Sequence, residues 1–385
     1  MKRRQAGLVL PALILVLLLG ALAMAFARQQ SRIASQVRQQ QTTVARLAEA
    51  RRLLLEYAQS YHLTHPGQST GYLLCPDTDN DGAAELSCGS AGDFAIGRLP
   101  YRTLGTVPLR DGFGECLWYA VAGNFKYNPK SAPLNWDTAG QFIVRNPDGS
   151  ARHPTQRPTD YAVAVVFAPG PPLGAQHRVF LAGQPCNGPS DASLAIAQYL
   201  EGAYAAGPGS PMTITVGRLD SDTDNDQVAW LAASDVFDAR LRTRSDTADL
   251  IGAVLTDTAS ALAPLPDPEG ATTLIGNVIE GAPPVTAYND RASPWSDQFR
   301  YLKCTTGTAC MTLDDRAGHI LGCAGLLLFA GTARGTQNRP AGGDPAYFED
   351  NVSALQAPET DVFWAAHDYA TTAPAQDLAR CLPAP

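Results

Sequence analysis

The chain has 385 residues, of which only 17% are charged, a net charge of −8, 34 glycines and 29 prolines. No basic stripe and no low-complexity tract is present, so a nucleic-acid partner is not indicated. The composition suits a β-rich globular part with many turns, and the roughly 310 residues beyond the N-terminal region are enough for two ordinary domains.

Lys2, Arg3 and Arg4 precede an uncharged run from Ala6 to Ala27, which as a helix covers about 30 Å of hydrocarbon, one membrane crossing. With these charges before the run and the bulk of the chain after it, the positive-inside bias keeps the N-terminus cytoplasmic and exports the rest. A cleaved secretory signal is the rival, since Ala23-Met24-Ala25 and Ala25-Phe26-Ala27 both fit a small-x-small cleavage site. Against it, the helical pattern does not stop at the end of the run. Arg28 to His62 contains no Gly or Pro, and Ile33, Val37, Val44, Leu47, Leu54, Ala58 and Tyr61 recur at spacings of three, four or seven. His65-Pro66-Gly67 ends the pattern. One helix is therefore predicted from about Leu8 to about Leu63, some ~85 Å long, with the stretch from Val44 to Tyr61 packed on its own domain.

Cys75, Cys88, Cys116, Cys186, Cys304, Cys310, Cys323 and Cys381 all lie beyond the apolar run, and no CxxC pair occurs. An even count in an exported chain favours disulfides over metal thiolates. Cys75 with Cys88, and Cys304 with Cys310, are close enough to clamp local loops; the other four cannot be paired from sequence. Between the first two lies Asp77-Thr-Asp79-Asn-Asp81-Gly82, the beginning of a calcium loop in which alternate carboxylates point to one side and Gly permits a sharp turn. The complete EF-hand motif is absent, because Cys88 stands where a bidentate Glu belongs. Close carboxylates repel, so Ca²⁺ held by Asp77, Asp79, Asp81 and Glu85 is one expectation and a solvated acidic turn the other. Asp220-Ser-Asp222-Thr-Asp224-Asn-Asp226 repeats the pattern with Gln227 in place of Gly, and reads mainly as a polar loop.

Strand-like runs Leu117–Ala122, Gln141–Arg145, Tyr161–Ala168 and Ile320–Phe329 alternate with turns such as Asn146-Pro147-Asp148-Gly149, favouring antiparallel sheet. A second helix is predicted from Ser234 to about Leu262, with Val236, Phe237, Leu241, Leu250, Ile251, Val254, Leu255 and Leu262 at helical spacings. It separates two halves with an echo. Phe113-Gly-Glu-Cys-Leu-Trp-Tyr119, Val166-Phe-Ala-Pro-Gly170, Gln176-His-Arg178 and Tyr199-Leu-Glu201 are followed in the same order by Trp295-Ser-Asp-Gln-Phe-Arg-Tyr301, Leu328-Phe-Ala-Gly331, Gln337-Asn-Arg339 and Tyr347-Phe-Glu349. The echo points to a duplicated helix-plus-sheet module. The fold class is α+β: a long transmembrane helix, then antiparallel sheet in modules 66–230 and 231–385.

Catalytic signatures are missing. His62, His65, His153, His177, His319 and His367 form no HExxH, and there is no Gly-x-Ser-x-Gly elbow or Gly-Lys-Ser/Thr phosphate cradle. Gln176-x-Arg178 and Gln337-x-Arg339 can bind an anion, but pairing with Glu201 and Glu349 inside each module is the simpler account.

The N-terminal layout resembles bacterial type IV prepilins and the pseudopilins of type II secretion. In that family a short basic leader ends in Gly, a prepilin peptidase cuts after it, and the mature protein begins with a long helix whose first half is apolar. On that resemblance residues 1–7 are a cytoplasmic leader, Gly7 is its last residue, Leu8 is the first mature one, and 8–65 is the long helix with 8–27 in the membrane. Leu74-Cys-Pro-Asp77, Gly97-Arg-Leu-Pro-Tyr101, Leu104-Gly105 and Pro108-Leu-Arg-Asp-Gly-Phe113 also look like pieces of globular pilin-like proteins. Most major subunits have Phe or Met at the first mature position and Glu at the fifth, where this chain has Leu8 and Ala12. A Glu in the bilayer is costly unless a neighbouring subunit's amine satisfies it, which is why it helps load a subunit into a filament. Its absence, with a large globular part, resembles the minor, tip-located members. The resemblance implies a non-enzymatic filament component rooted in the inner membrane, with sibling pilin or pseudopilin subunits and the prepilin peptidase as partners. The contrasting expectation is an exported binding protein or hydrolase with a conventional signal sequence.

Overall fold

The computed structural model describes residues 9–66, 68–131, 134–178, 183–201, 211–218, 221–237, 247–273, 276–335, 337, 339 and 343–384. Gly7 and Leu8 lie outside them. Helix α1 spans Val9–Thr64. Pro11 stands in its first turn, where a missing amide has no partner to lose, and Gly20 is the one glycine in it. It stops before Pro66, with His65 N–H donating to Tyr61 O at 3.0 Å.

From Leu13 to Arg38 every residue of α1 is exposed. Burial begins at Thr43 and recurs at Leu47, Ala50, Leu54, Ala58 and Tyr61, one stripe at spacings of three and four. Val44, one residue and about 100° round from Thr43, stays on the outer face at 55% exposure. The helix thus has a free half and a docked half, and the docked stripe excludes Val44.

The docked half packs on β4 (Ala162–Ala168) and β6 (Gln227–Ala232) of a six-stranded sheet. In that sheet β1 (Gly92–Arg98), β2 (Trp118–Gly123), β4 and β6 are successive antiparallel neighbours. Every residue of β2 and β4 is buried, as aromatic, β-branched and Ala side chains covered on both faces should be. On the far side β3 (Phe142–Arg145) meets β4 at one residue pair and runs parallel to β5 (Met212–Thr215).

The second half also packs a helix on a sheet. Helix α4 (Thr247–Ala261) packs on β14 (Leu378–Leu382), and β7 (Glu269–Thr273), β8 (Val278–Ala282), β9 (Phe299–Cys304), β12 (Gly325–Phe329) and β14 form an antiparallel sheet in that spatial order. A small third sheet joins β11 (Ile320–Cys323), β10 (Met311–Asp314) and β13 (Val362–Trp364), the last two in parallel. The first and third of these sheets are therefore mixed, while the five-stranded one is antiparallel throughout.

Two sequence expectations need correction. The run Ile320–Phe329 is two strands in two sheets, not one: the chain turns at Ala324, whose N–H donates to Leu382 O, and the glycine after it packs so tightly on Leu265 that a Cβ would lie 2.7 Å from that side chain. The helix predicted from Ser234 to Leu262 is a single turn, α3 (Ala233–Val236), and the separate α4; Leu241 lies outside the described residues. The apolar spacing holds within α4, where Ile251, Val254 and Leu255 are buried.

The halves also share contacts residue for residue. Arg178 donates from Nη1 to Gly170 O (2.5 Å) and from Nε to Gln198 O (2.9 Å), with its guanidinium 4.9 Å from the Tyr199 ring. Arg339 donates from Nη1 to Gly331 O and from Nε to Ala346 O (3.1 Å), with its guanidinium 5.2 Å from the Tyr347 ring. Gln176 Oε1 accepts from Leu173 N as Gln337 Oε1 accepts from Arg334 N. Buried Asp226 and Asp377 directly precede β6 and β14.

One apolar core runs through both halves, joined by the rings of Trp136, Phe237, Trp295 and Phe329, with Trp136 and Trp295 4.5 Å apart. Polar groups cross the same boundary. Asn135 Nδ2 donates to Asp297 Oδ1 (2.7 Å), Gln298 Nε2 to Asp137 Oδ2 (3.0 Å), and Arg339 Nη1 to the same oxygen (3.0 Å).

Candidate functional site

Cys75 is bonded to Cys88, and the loop between them carries the first acidic group. Asp77 is fully buried, its backbone held by paired N–H···O bonds with Arg98 (3.0 and 2.8 Å). Its two carboxylate oxygens accept from Asn80 N (2.7 Å) and Gly82 N (2.9 Å). Burial pushes its pKa up to about 6, against the pull of those hydrogen bonds and of Arg98. Gly82 has φ +88°, and a Cβ there would lie 2.3 Å from the Tyr101 ring, so only glycine fits.

Asp77, Asp79 and Glu85 each offer an oxygen within 4.8 Å of the others and can together hold a metal ion. Asp81, the fourth residue of the sequence pattern, does not join them; its Oδ1 accepts from Ala83 N at 2.6 Å, a turn within the loop. Glu85 Oε1 also accepts from Thr78 N (2.9 Å) and Thr78 Oγ1 (2.6 Å), which fixes it facing Asp77 and Asp79. Cys88 is consumed by the disulfide, so the far end of the loop supplies no ligand.

A second group, which sequence spacing reveals only in part, joins Glu201 to Asp224 and Asp226, again within 4.8 Å. Asp222 is exposed and outside it, and Asp220 lies outside the described residues. Glu201 comes from the Tyr-apolar-Glu segment, and no linear motif links it to the Asp loop. Its Oε2 accepts from Asn225 N (3.1 Å) and Asp226 N (3.2 Å), and its backbone N–H donates to Asp226 Oδ2 (2.8 Å). Burial first, and Glu201 second, push Asp224 up to about 6 and hold Asp226 well above the usual carboxylate range.

The Gln-x-Arg straps behave only partly as their spacing suggests. Gln176 Nε2 does donate to Glu201 Oε1 (2.7 Å). Arg178, however, has Glu115 as its acid (3.7 Å), Arg339 reaches Asp137 of the first half (3.0 Å), and Glu349 is paired with Arg334 (2.7 Å). Both strap guanidiniums are buried and engaged, which removes them as anion sites.

The remaining disulfides are Cys116–Cys186, Cys304–Cys310 and Cys323–Cys381. Each half thus has one short-range and one long-range bridge. No histidine belongs to a potential metal group among the described residues. One helix is long and apolar enough to cross a membrane, and it is α1. No protein-family model, no curated protein and no solved structure matches the chain.

Proposed function

We propose that the chain is a non-enzymatic, pilin-like subunit of a type IV pilus or type II secretion filament, of the minor kind that sits at the tip or initiates assembly. The observation that carries this reading is α1. It passes without a break from an apolar span into the core of the globular part, and in between it presents Ile33, Val37 and Val44 to solvent on one face. At about 100° per residue these three fall within roughly 40° of one another, a stripe suited to a neighbouring helix and not used by the chain's own domain.

The orientation draws its support from the disulfides. Arg28, Arg32 and Arg38 follow the span as Lys2, Arg3 and Arg4 precede it, which offsets the positive-inside expectation read from the leading charges, so the orientation rests on the four disulfides, which belong in an oxidising compartment. The globular part is then periplasmic or extracellular and the N-terminus cytoplasmic, with the span in the inner membrane. The matched contacts of Arg178 and Arg339 support two copies of one helix-plus-sheet module. The Asp77–Asp79–Glu85 group supports a bound Ca²⁺, a hard cation that takes oxygen ligands.

N-terminal sequencing of the mature protein tests the reading. A start at Leu8 is expected, from cleavage after Gly7 by a prepilin peptidase. A start at Phe26 or Arg28 identifies a conventional secreted protein, and retention of Met1 an uncut anchor.

A further inference from the structure

We infer that the segment of α1 just beyond the apolar span is a collar that binds the headgroups of anionic phospholipid, an inference that rests on the membrane-spanning reading of α1. The first acidic residue of the chain is Glu49. Before it, Arg28, Arg32 and Arg38 follow the apolar run, and among the described residues none of the three has an acidic partner. The arginines farther up the helix are already paired, Arg46 with Glu49, Arg51 with Asp235 and Arg52 with Glu56. Only the lowest three are left without a counter-charge.

Their height matches a headgroup layer. With the apolar run ending at Ala27, Arg28 and Arg32 stand about 2 and 8 Å beyond it and Arg38 about 16 Å, and long arginine stems can bend back toward the interface. The domain begins above them, where Gly112 packs on the Gln39 backbone. Between hydrocarbon and domain lies a sleeve of exposed helix in which the only charges are positive. Azimuth matters too: at about 100° per residue Arg28 and Arg32 are roughly 40° apart, and all three arginines avoid the sector of Ile33, Val37 and Val44. A helix can occupy that stripe while the guanidiniums face lipid. Guanidinium groups pair with phosphate through two parallel N–H donors, which suits a phosphodiester headgroup. The glutamines Gln29, Gln30 and Gln36 add neutral donors around the ring.

The full-length protein, reconstituted in vesicles of equal phosphatidylcholine and phosphatidylglycerol, is released into the gas phase and its retained lipids are identified by native mass spectrometry. Each arginine near an anionic surface is worth roughly fivefold, so phosphatidylglycerol should be enriched well above its bulk share, less so at high salt. In R28Q/R32Q/R38Q the enrichment should vanish with the fold intact, because the three side chains are exposed and among the described residues make no hydrogen bond or ion pair outside α1. Equal retention of both lipids by the unaltered chain, or enrichment that survives the triple substitution, overturns the collar. So does loss of the enrichment on adding inorganic phosphate at the vesicle lipid concentration, which would mark a general anion site. Protection of the three arginines from phenylglyoxal only in oligomeric fractions, with no lipid preference, would assign them to an acidic protein partner instead. Flotation after carbonate extraction separates the two levels: a chain that fails to float sinks the membrane reading as well, whereas a floating chain without lipid preference sinks the collar alone.

Discussion

The two halves place the same arginine on the same carbonyls and the same tyrosine, yet they neutralise their buried carboxylates differently. In the second, Arg334 lies against Glu349 (2.7 Å) and Asp350 (3.1 Å). The corresponding place in the first is Leu173, and there Glu201, Asp224 and Asp226 face one another, with burial raising the pKa of Asp224 and of Asp226. The strap arginines diverge as well: Arg178 turns to Glu115 of its own half, and Arg339 to Asp137 of the other. The two halves keep matching backbone contacts, which fix the fold, and differ in their charge partners, which fix what each half touches.

Removing Arg339 should have the largest effect. R339A removes the guanidinium paired with buried Asp137 at the boundary, a loss of about 3–5 kcal/mol, and denaturant unfolding should split into two transitions as the halves uncouple. R178A should cost less and leave a single transition, since Glu115 is partly exposed and no boundary depends on it. Equal losses, or a single transition in both, would break the contrast between the halves.

The disulfides come next. Opening Cys116–Cys186, which closes 70 residues, should cost about 4 kcal/mol by chain entropy, against about 2 for Cys304–Cys310, which closes 6. Paired Cys→Ser variants compared in oxidised form by chemical denaturation measure both. A larger loss from the short bridge would show that native contacts around the bridge, and not loop closure, set the ranking.

Much of this organisation is legible in the sequence because it is periodic or local. The stripe Leu47–Leu54–Ala58–Tyr61, the strands of buried aromatic and β-branched residues, the echoed Gln-x-Arg and the short-range cysteine pairs are all separated by a few residues. What stays hidden depends on residues brought together from far apart. Glu201 joins Asp224 and Asp226 only because the strap returns the chain to the sheet, and Asp137 meets Arg339 across 202 residues. Asp81 shows the converse limit: spacing places it with Asp77 and Asp79, but local backbone hydrogen bonding turns it aside. The division of Ile320–Phe329 is hidden for a similar reason, since an apolar run does not say which of two sheets each part completes.

Calcium should act on the first half only, as both groups that can hold a metal among the described residues lie there. At a hundredfold excess over Kd a bound ion stabilises by about 2.7 kcal/mol. D79A should abolish the difference in melting temperature between Ca²⁺ and chelator, and D81A alone should preserve it. Identical melting of the unaltered protein with and without chelator would dispose of the ion. A chelator effect lost in D81A as well would mean that the loop's turn, not the three-carboxylate group, is what the ion needs.

The smallest effect is the pH slope, because groups of opposite sign act in adjacent windows. Asp377 is raised by burial to about 7, Asp224 by burial and Glu201 to about 6, and Asp77 by burial to about 6. For such groups the folded state holds its proton after the unfolded chain has lost it, so stability falls as pH rises from the ordinary value of 3.8 toward 6 or 7. Asp350 and Asp315 are depressed, the first by its hydrogen bond to Arg334 and the second to about 2 by hydrogen bonds from His319. Their contribution is present above the ordinary value and is lost as pH falls below it. Together these give a stability maximum near about pH 4 and a decline on both sides. D377N should flatten the neutral-side decline without moving the acid limb, and D226N should do the same through the equivalent position of the first half. Melting curves between pH 3 and 8 decide it: a stability that rises steadily from pH 4 to 7 would mean that Asp226 and Asp377 are charged in the folded state, each beside a cation.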